Sequence, residues 1–249
     1  HGRVETPMPT HFSLTIIVVT VLVINLTLTL LISFIPAGRN FYHRRAKQVV
    51  CTGFIIFTLS WIAAIFRTTF PSHFIVVVTN ILVISSYAAF AIYPWYRSQK
   101  TPPLLKIFLL YTLASLTLSL SVPYTEIETR VHLVNILILC FSLIGSKALL
   151  SSGQYKRNSG DALFLIAIWV YTGIIVSRSA AIFLIDDLNY SSYTTLIGAA
   201  FLSVAIGGST LIAYLNDIRN VLYTQSISDP LTGLLNRRGF IDGAARILS

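Results

Sequence analysis

Long apolar runs separated by short polar gaps set the pattern of this chain. The runs cover residues 12–35, 48–66, 74–95, 104–122, 131–149, 162–185 and 195–214. About 20 apolar residues at a rise of 1.5 Å cross a hydrocarbon core about 30 Å thick, so each run is long enough for a transmembrane helix. Helix terminators fill the gaps: Pro36 and Gly38, Pro71, Pro102 and Pro103, Pro123, and Gly153 after two serines. The pattern predicts an all-α fold, a polytopic membrane bundle of seven transmembrane helices.

Composition agrees with that class. The chain is 55% hydrophobic and 11% charged, with a mean hydropathy of +0.75. A soluble domain carries about 25% charged residues. The net charge of +9 raises nucleic acid as a partner, but most charges sit in the gaps, where they set topology instead. The lipid bilayer is the expected partner, and no nucleic acid. Cys51 and Cys140 each fall inside an apolar run, so neither a disulfide nor a metal pair is expected.

The gap charges also orient the bundle. Arg39, Arg44, Arg45 and Lys47 flank the first gap, Arg97, Lys100 and Lys106 the third, and Lys147, Lys156 and Arg157 the fifth. The alternate gaps hold Arg67 and Arg130 with the acids Glu126, Glu128, Asp186 and Asp187. Ten basic residues against two make the first side cytoplasmic. Seven spans then leave the amino terminus outside and the carboxyl terminus inside, in a bacterial inner membrane. Residues 1–11 are expected to form an extracytoplasmic tail, with 1–7 foreign sequence or a product of truncation. Residues 12–215 form the membrane domain.

The seventh run ends without a breaker. Leu211, Leu215, Ile218 and Leu222 follow at spacings of four, three and four residues, a short heptad seam. Residues 216–227 are therefore expected to leave the membrane as a helical linker, either in a parallel coiled coil or as an ordinary amphipathic helix end. The same run carries two small-residue stripes, Ala199, Ser203 and Gly207, and Ala205, Ser209 and Ala213. One is expected to pack inside the bundle and the other in a dimer.

The last 24 residues carry a different signal. They begin Ser226-Ile227-Ser228-Asp229-Pro230-Leu231-Thr232-Gly233-Leu234-Leu235-Asn236-Arg237-Arg238-Gly239-Phe240. Asp229-Pro230 favours a turn or helix start, Thr232 and Asn236 can bond local backbone groups, and Gly233 permits close approach. Phe240, Ile241 and residues 244–248 look like a helix. This string resembles the D-x-L-T-G-L-x-N-R-R signature at the entry of GGDEF domains, the bacterial diguanylate cyclases. Asp229, Leu231, Thr232, Gly233, Leu234, Asn236 and Arg237 fall at family positions. The seven-span part resembles, in architecture only, the membrane-associated sensor (MASE-like) domains that precede GGDEF domains, without an M-H-Y-T repeat.

The resemblance implies a homodimer whose facing cytoplasmic domains condense two GTP molecules, held with Mg²⁺, into cyclic di-GMP. Residues 228–249 would be the opening of that domain, cut short before its catalytic loop. Gly207-Gly208 precedes Ser209-Thr210 inside an apolar run and is not the GG[DE]EF loop. No catalytic residue, metal ligand or cofactor is therefore assigned to the chain, which is expected to be inactive alone. Asp229, Asn236 and Arg237 read as framework at the hinge.

Arg178 is the one charge read as lying deep in a run, about 12 Å from Asp186 along a helix. It is a candidate counter-ion for an anionic small ligand entering from the outer side, or a snorkelling or loop-paired side chain. Arg67, Arg130, His73 and His132 lie at the same rim and with it could form a basic mouth, or serve singly as interface anchors. Trp61, Trp95, Trp169, Tyr93, Tyr96 and Tyr171 are candidates for a ring-binding pocket or for packing. Asn25, Asn80 and Asn135 are expected to hydrogen-bond between helices. The last run has no lysine for retinal, and no histidine lies mid-membrane for haem. Two functions follow: a membrane sensor controlling cyclic di-GMP synthesis, or a transporter-like or scaffold protein whose degenerate GGDEF module binds cyclic di-GMP.

Overall fold

Local sequence sets where each helix begins and ends. In a computed structural model, residues 11–36, 40–70, 72–185, 188–228, 232, 234–237 and 239–241 are described, except for the side chains of 11–17, 67–69, 127, 185 and 188–193. The described chain folds into helices α1 (His11–Phe34), α2 (Phe41–Thr69), α3 (His73–Arg97), α4 (Leu104–Ser121), α5 (Ile127–Ser152), α6 (Gln154–Arg157), α7 (Ser159–Ile185) and α8 (Leu188–Ile227). The Asn40 side chain accepts from the Tyr42 amide at 2.8 Å and starts α2. Ser72 does the same for the Ile75 amide at 3.3 Å and starts α3. Gly153 ends α5 at φ 66°, a left-handed conformation that glycine takes without strain.

The helices outrun the apolar runs where no breaker intervenes. α2 begins at Phe41, so His43, Arg44, Arg45 and Lys47 are helical rather than loop residues. Lys47 turns this to use, donating from Nζ to the Ser33 and Ile35 carbonyls at 2.6 Å each and so capping the end of α1. α8 is a single helix of 40 residues that carries the last apolar run and the 216–227 segment together.

Six of these helices are long and apolar enough to cross a membrane: α2 over Phe41–Phe66, α3, α4, α5 over Glu128–Ser152, α7 over Ser159–Leu184 and α8 over Thr194–Ile227. The apolar stretch of α1 with described side chains, Val18–Phe34, is shorter than these six. α3 is central, against α2, α4 and α5; α7 pairs with α8; and α1 leans on α2 and α8. The core is an aromatic and aliphatic column that includes Phe54, Phe57, Tyr87, Phe90, Phe141 and Phe164. Large apolar side chains also cover the exterior, as at Leu105, Phe108, Leu113 and Leu120 on α4. Water penalises such a surface by about 25 cal/mol per Å², and lipid does not.

Both small-residue stripes of α8 work inside the bundle, which corrects the expectation that one serves a dimer. A Cβ at Gly207 would collide with the Leu28 side chain of α1. Ser209 and Ala213 are buried, and they lie where Gly160 of α7 presses on the α8 backbone.

Candidate functional site

Two polar constellations sit at opposite ends of the bundle. The first lines a cavity of about 230 Å³ where α2, α3, α5, α7 and α8 converge. Phe57, Trp61, Val83 and Ile138 supply apolar walls, and Arg130, Tyr171 and Arg178 bring in polar groups. The floor is a tyrosine pair: the Tyr87 and Tyr171 hydroxyls bond each other, with rings stacked at 6.0 Å and 17°. Phe57 meets Tyr87 edge-on at 6.3 Å and Trp61 edge-on at 6.3 Å.

Arg178 is held by its neighbours. Its Nη1 donates to Asn135 Oδ1 at 3.3 Å, and Asn135 Nδ2 donates to Ser179 Oγ at 2.6 Å. That network ties α5 to α7 and makes Asn135 the inter-helical amide the sequence suggested. Asn80 lines the cavity. Asn25 is fully buried with no side-chain partner among the described residues, contrary to expectation.

Of the proposed basic mouth, Arg178 and Arg130 face the cavity together with Tyr171. His73 and His132 are not among its lining residues, and the Arg67 side chain lies outside the described ones. Of the aromatic candidates, Trp61 and Tyr171 line it. Trp95 instead donates to the Ile144 carbonyl at 3.1 Å. Trp169 is largely exposed, and Tyr93 packs on Phe164 at 4.9 Å.

The second constellation escaped the sequence reading. Arg97, taken as a gap charge, is completely buried, as is Asp161. Arg178 is thus not the one deeply placed charge. Arg97 grips Asp161 with two parallel bonds, Nε to Oδ1 at 3.0 Å and Nη2 to Oδ2 at 2.8 Å, and Nη1 donates to Asp217 Oδ2. Its guanidinium lies over the Tyr214 ring at 5.2 Å. Asn158 Nδ2 completes the clamp, donating to Asp217 Oδ1 and the Ala213 carbonyl, each at 3.0 Å. The Tyr214 hydroxyl donates to the His43 carbonyl at 3.1 Å. One guanidinium therefore fastens α3, α7 and α8 where α8 leaves the bundle, and Tyr214 adds α2. Asp161 and Asp217 were the available signal: they are acids placed among the basic residues of one end.

Beyond Ile227 the chain folds back on the helix end. Ser228 and Leu235 form an antiparallel bridge. Asn236 holds the turn: its amide donates to the Ile227 carbonyl at 2.9 Å, and its Nδ2 to the Ser226 carbonyl at 2.9 Å. Its Oδ1 accepts from the Gly239 amide at 3.0 Å. Thr232 Oγ1 accepts from the Leu234 amide at 3.4 Å. Both residues thus bond local backbone, as expected of them. A close approach occurs at Gly239, where a Cβ would strike the Ile227 carbonyl. Arg237 is helical, with an exposed side chain. Asp229, Leu231, Gly233 and residues 242–249 lie outside the described residues.

The seam on α8 is divided. Leu211 packs against the core and Ile218 is half-buried, whereas Leu215 and Leu222 are exposed. Among the described residues, no group of three or more His, Cys, Asp or Glu side chains is placed to hold a metal ion.

The chain gives no significant match to models of protein families, to curated proteins or to solved structures. Fold and site together define a multi-pass α-helical membrane protein with a cavity at one end and a charged clamp at the other.

Proposed function

We propose that this chain is the sensor region of a bacterial membrane diguanylate cyclase. In this reading α1 is the first of seven spans, the clamp end faces the cytoplasm and the cavity opens towards the outside. The tail is the entry to a GGDEF domain that makes cyclic di-GMP from two GTP as a homodimer, with Mg²⁺ and GTP bound by residues beyond this chain. What carries the reading is the continuity of α8. The helix lines the cavity with Thr195 and Ala199, passes the clamp at Asp217 and reaches Ile227, where the D-x-L-T-G-L-x-N-R-R-like turn docks on it through Asn236.

The mechanism is a two-state bias. A ligand that fits the cavity better in one arrangement of α7 and α8 shifts the population by its differential affinity. α8 then turns or slides at the clamp and moves the two output domains relative to one another. Leu215 and Leu222, exposed on the single chain, are the seam through which two copies of α8 would pair as a coiled coil.

The test is cyclic di-GMP formation by the complete gene product in lipid with GTP and Mg²⁺, quantified by mass spectrometry. Product supports the cyclase reading. A complete sequence with a degenerate GG[DE]EF string and no product moves the assignment to the alternative, a scaffold or transporter-like protein that binds cyclic di-GMP. Ile218→Glu and Leu222→Glu place charge on the seam and are expected to change product yield several-fold with the membrane fold intact. Unchanged yield in both variants counts against the relay.

A further inference from the structure

The surface between α2 and α4 is not the plain apolar wall that lipid tails require. Both helices pack on α3, and between them lies an open groove of about 650 Å³. Its floor is α3, where Ala88 and Ala89 leave a trough. The α2 wall is polar. Arg45, Gln48 and Thr52 line it at spacings of three and four residues and so share one helix face. At the deep end the Ser85 hydroxyl meets that of Tyr111 at 3.1 Å and ties α3 to α4. At the shallow end Tyr96 stands beside Tyr42, with ring centroids 6.5 Å apart.

The polar wall lacks partners within the protein. Arg45, Gln48 and Thr52 are exposed, and the Gln48 and Thr52 side chains make no hydrogen bond among the described residues. The Arg45 guanidinium lies over the Phe41 ring at 5.3 Å, and no acidic side chain lines the groove. Hydrocarbon satisfies neither an amide nor a guanidinium, so such groups call for a polar occupant. Their order along the helix says which kind. Arg45 lies in the second turn of α2. Gln48 is about 5 Å deeper at helical rise, where the apolar run begins. That is the border between headgroups and hydrocarbon, where a glycerolipid carries its ester carbonyls. Cation, amide and alanine trough thus match phosphate, ester and acyl chain in the same order. Arg44 and Lys47 line the adjoining trough on the α1 side, and Gln48 is common to both. This concentration of positive charge repels a headgroup ammonium and favours a headgroup with net negative charge.

We infer that the groove between α2 and α4 holds one anionic glycerophospholipid from the leaflet at the clamp end. Its phosphate sits on Arg45, an ester carbonyl accepts from the Gln48 amide, and an acyl chain lies along Ala88 and Ala89. The site is separate from the cavity, and the inference does not rest on the sensor reading.

The experiment is native mass spectrometry of this chain released from detergent. The added lipids are phosphatidylglycerol and phosphatidylcholine with identical acyl chains. The first phosphatidylglycerol is expected to bind about fivefold more tightly than the first phosphatidylcholine, the factor that one arginine near an anionic headgroup supplies. Arg45→Gln is expected to abolish that preference and leave phosphatidylcholine binding unchanged. Arg157→Gln, an exposed arginine at the same end but outside the groove lining, is expected to keep it. Ala88→Leu, which fills the trough, is expected to weaken both lipids at an unchanged melting temperature. Because Arg45 is exposed, its variant tests the site even where Ala88→Leu disturbs the fold. Equal binding of the two lipids by the unaltered chain overturns the inference. So does an equal loss of preference in Arg157→Gln, which would make the attraction a diffuse effect of charge at that end. Lipid binding unaltered in Ala88→Leu, or a dimer that this variant dissociates, also overturns it, the latter by making the face a contact between copies of the chain.

Discussion

Arg97→Met is expected to destabilise the bundle by about 3–5 kcal/mol, the range for removing one partner of a buried ion pair. The cause is what the substitution leaves behind. Asp161 is fully buried and takes two of the three Arg97 bonds to carboxylates. Without Arg97 it is an uncompensated charge among α3, α7 and α8, and Asp217 loses its strongest donor while keeping Asn158. The size of the effect does not mean that the pair itself stabilises the fold by that amount. Desolvation offsets much of the attraction in such pairs. Adding Asp161→Asn to Arg97→Met should therefore recover part of the loss, because it removes the stranded charge. Thermal unfolding in lipid nanodiscs checks both statements. Wild-type stability in Arg97→Met would mean that the clamp does not hold the helices.

Gly160→Ala should be the most damaging single methyl among the described helix glycines. The added Cβ would meet the Ala213 Cα at 2.5 Å and the Ser209 carbonyl at 2.6 Å, with the Ala213 amide closer still. These are backbone atoms of a helix and cannot rotate away. α7 and α8 must separate, which strains the adjoining Asn158 and Asp217 contacts. Overpacking of this kind costs about 1–3 kcal/mol, occasionally more, and here it lies at the upper end. Gly173 and Gly208 provide the control, since a Cβ at either meets nothing within 4 Å. Alanine there should be neutral, or stabilising by about 0.5–1 kcal/mol through helix propensity. Melting temperatures of the three variants measure the contrast, and equal effects would refute the close-packing account.

The helical frame was largely legible because it depends on local quantities. Run length, proline and glycine place the helices to within a few residues wherever a breaker is present. They fail at Phe41, where polar helix precedes the apolar run, whereas the missing breaker after the last run did foretell a helix continuing to Ile227. The cavity was half legible. A charge deep in an apolar run must find polar surroundings, and that argument leads to Arg178. It says nothing of which rim residues turn inward, so Arg130 belongs to the cavity lining and His73 does not. The clamp was illegible for a different reason. Arg97, Asp161 and Asp217 are 64 and 120 residues apart, and only the packing of three helix ends shows that a gap arginine faces inward. Charge counting treats every gap lysine and arginine alike, whereas Arg97 is buried and Arg45 is exposed.

In the proposed reading α8 transmits the state of the bundle to the output domain as a rigid helix whose rotational phase matters. Inserting one residue after Val221 in the complete gene product turns everything beyond it by about 100°, whereas inserting seven restores the seam to its original face. Cyclic di-GMP yield in lipid is the measurement that tests this most directly. A large change with one residue and near-original yield with seven is the predicted result; equal yields from both insertions would contradict it.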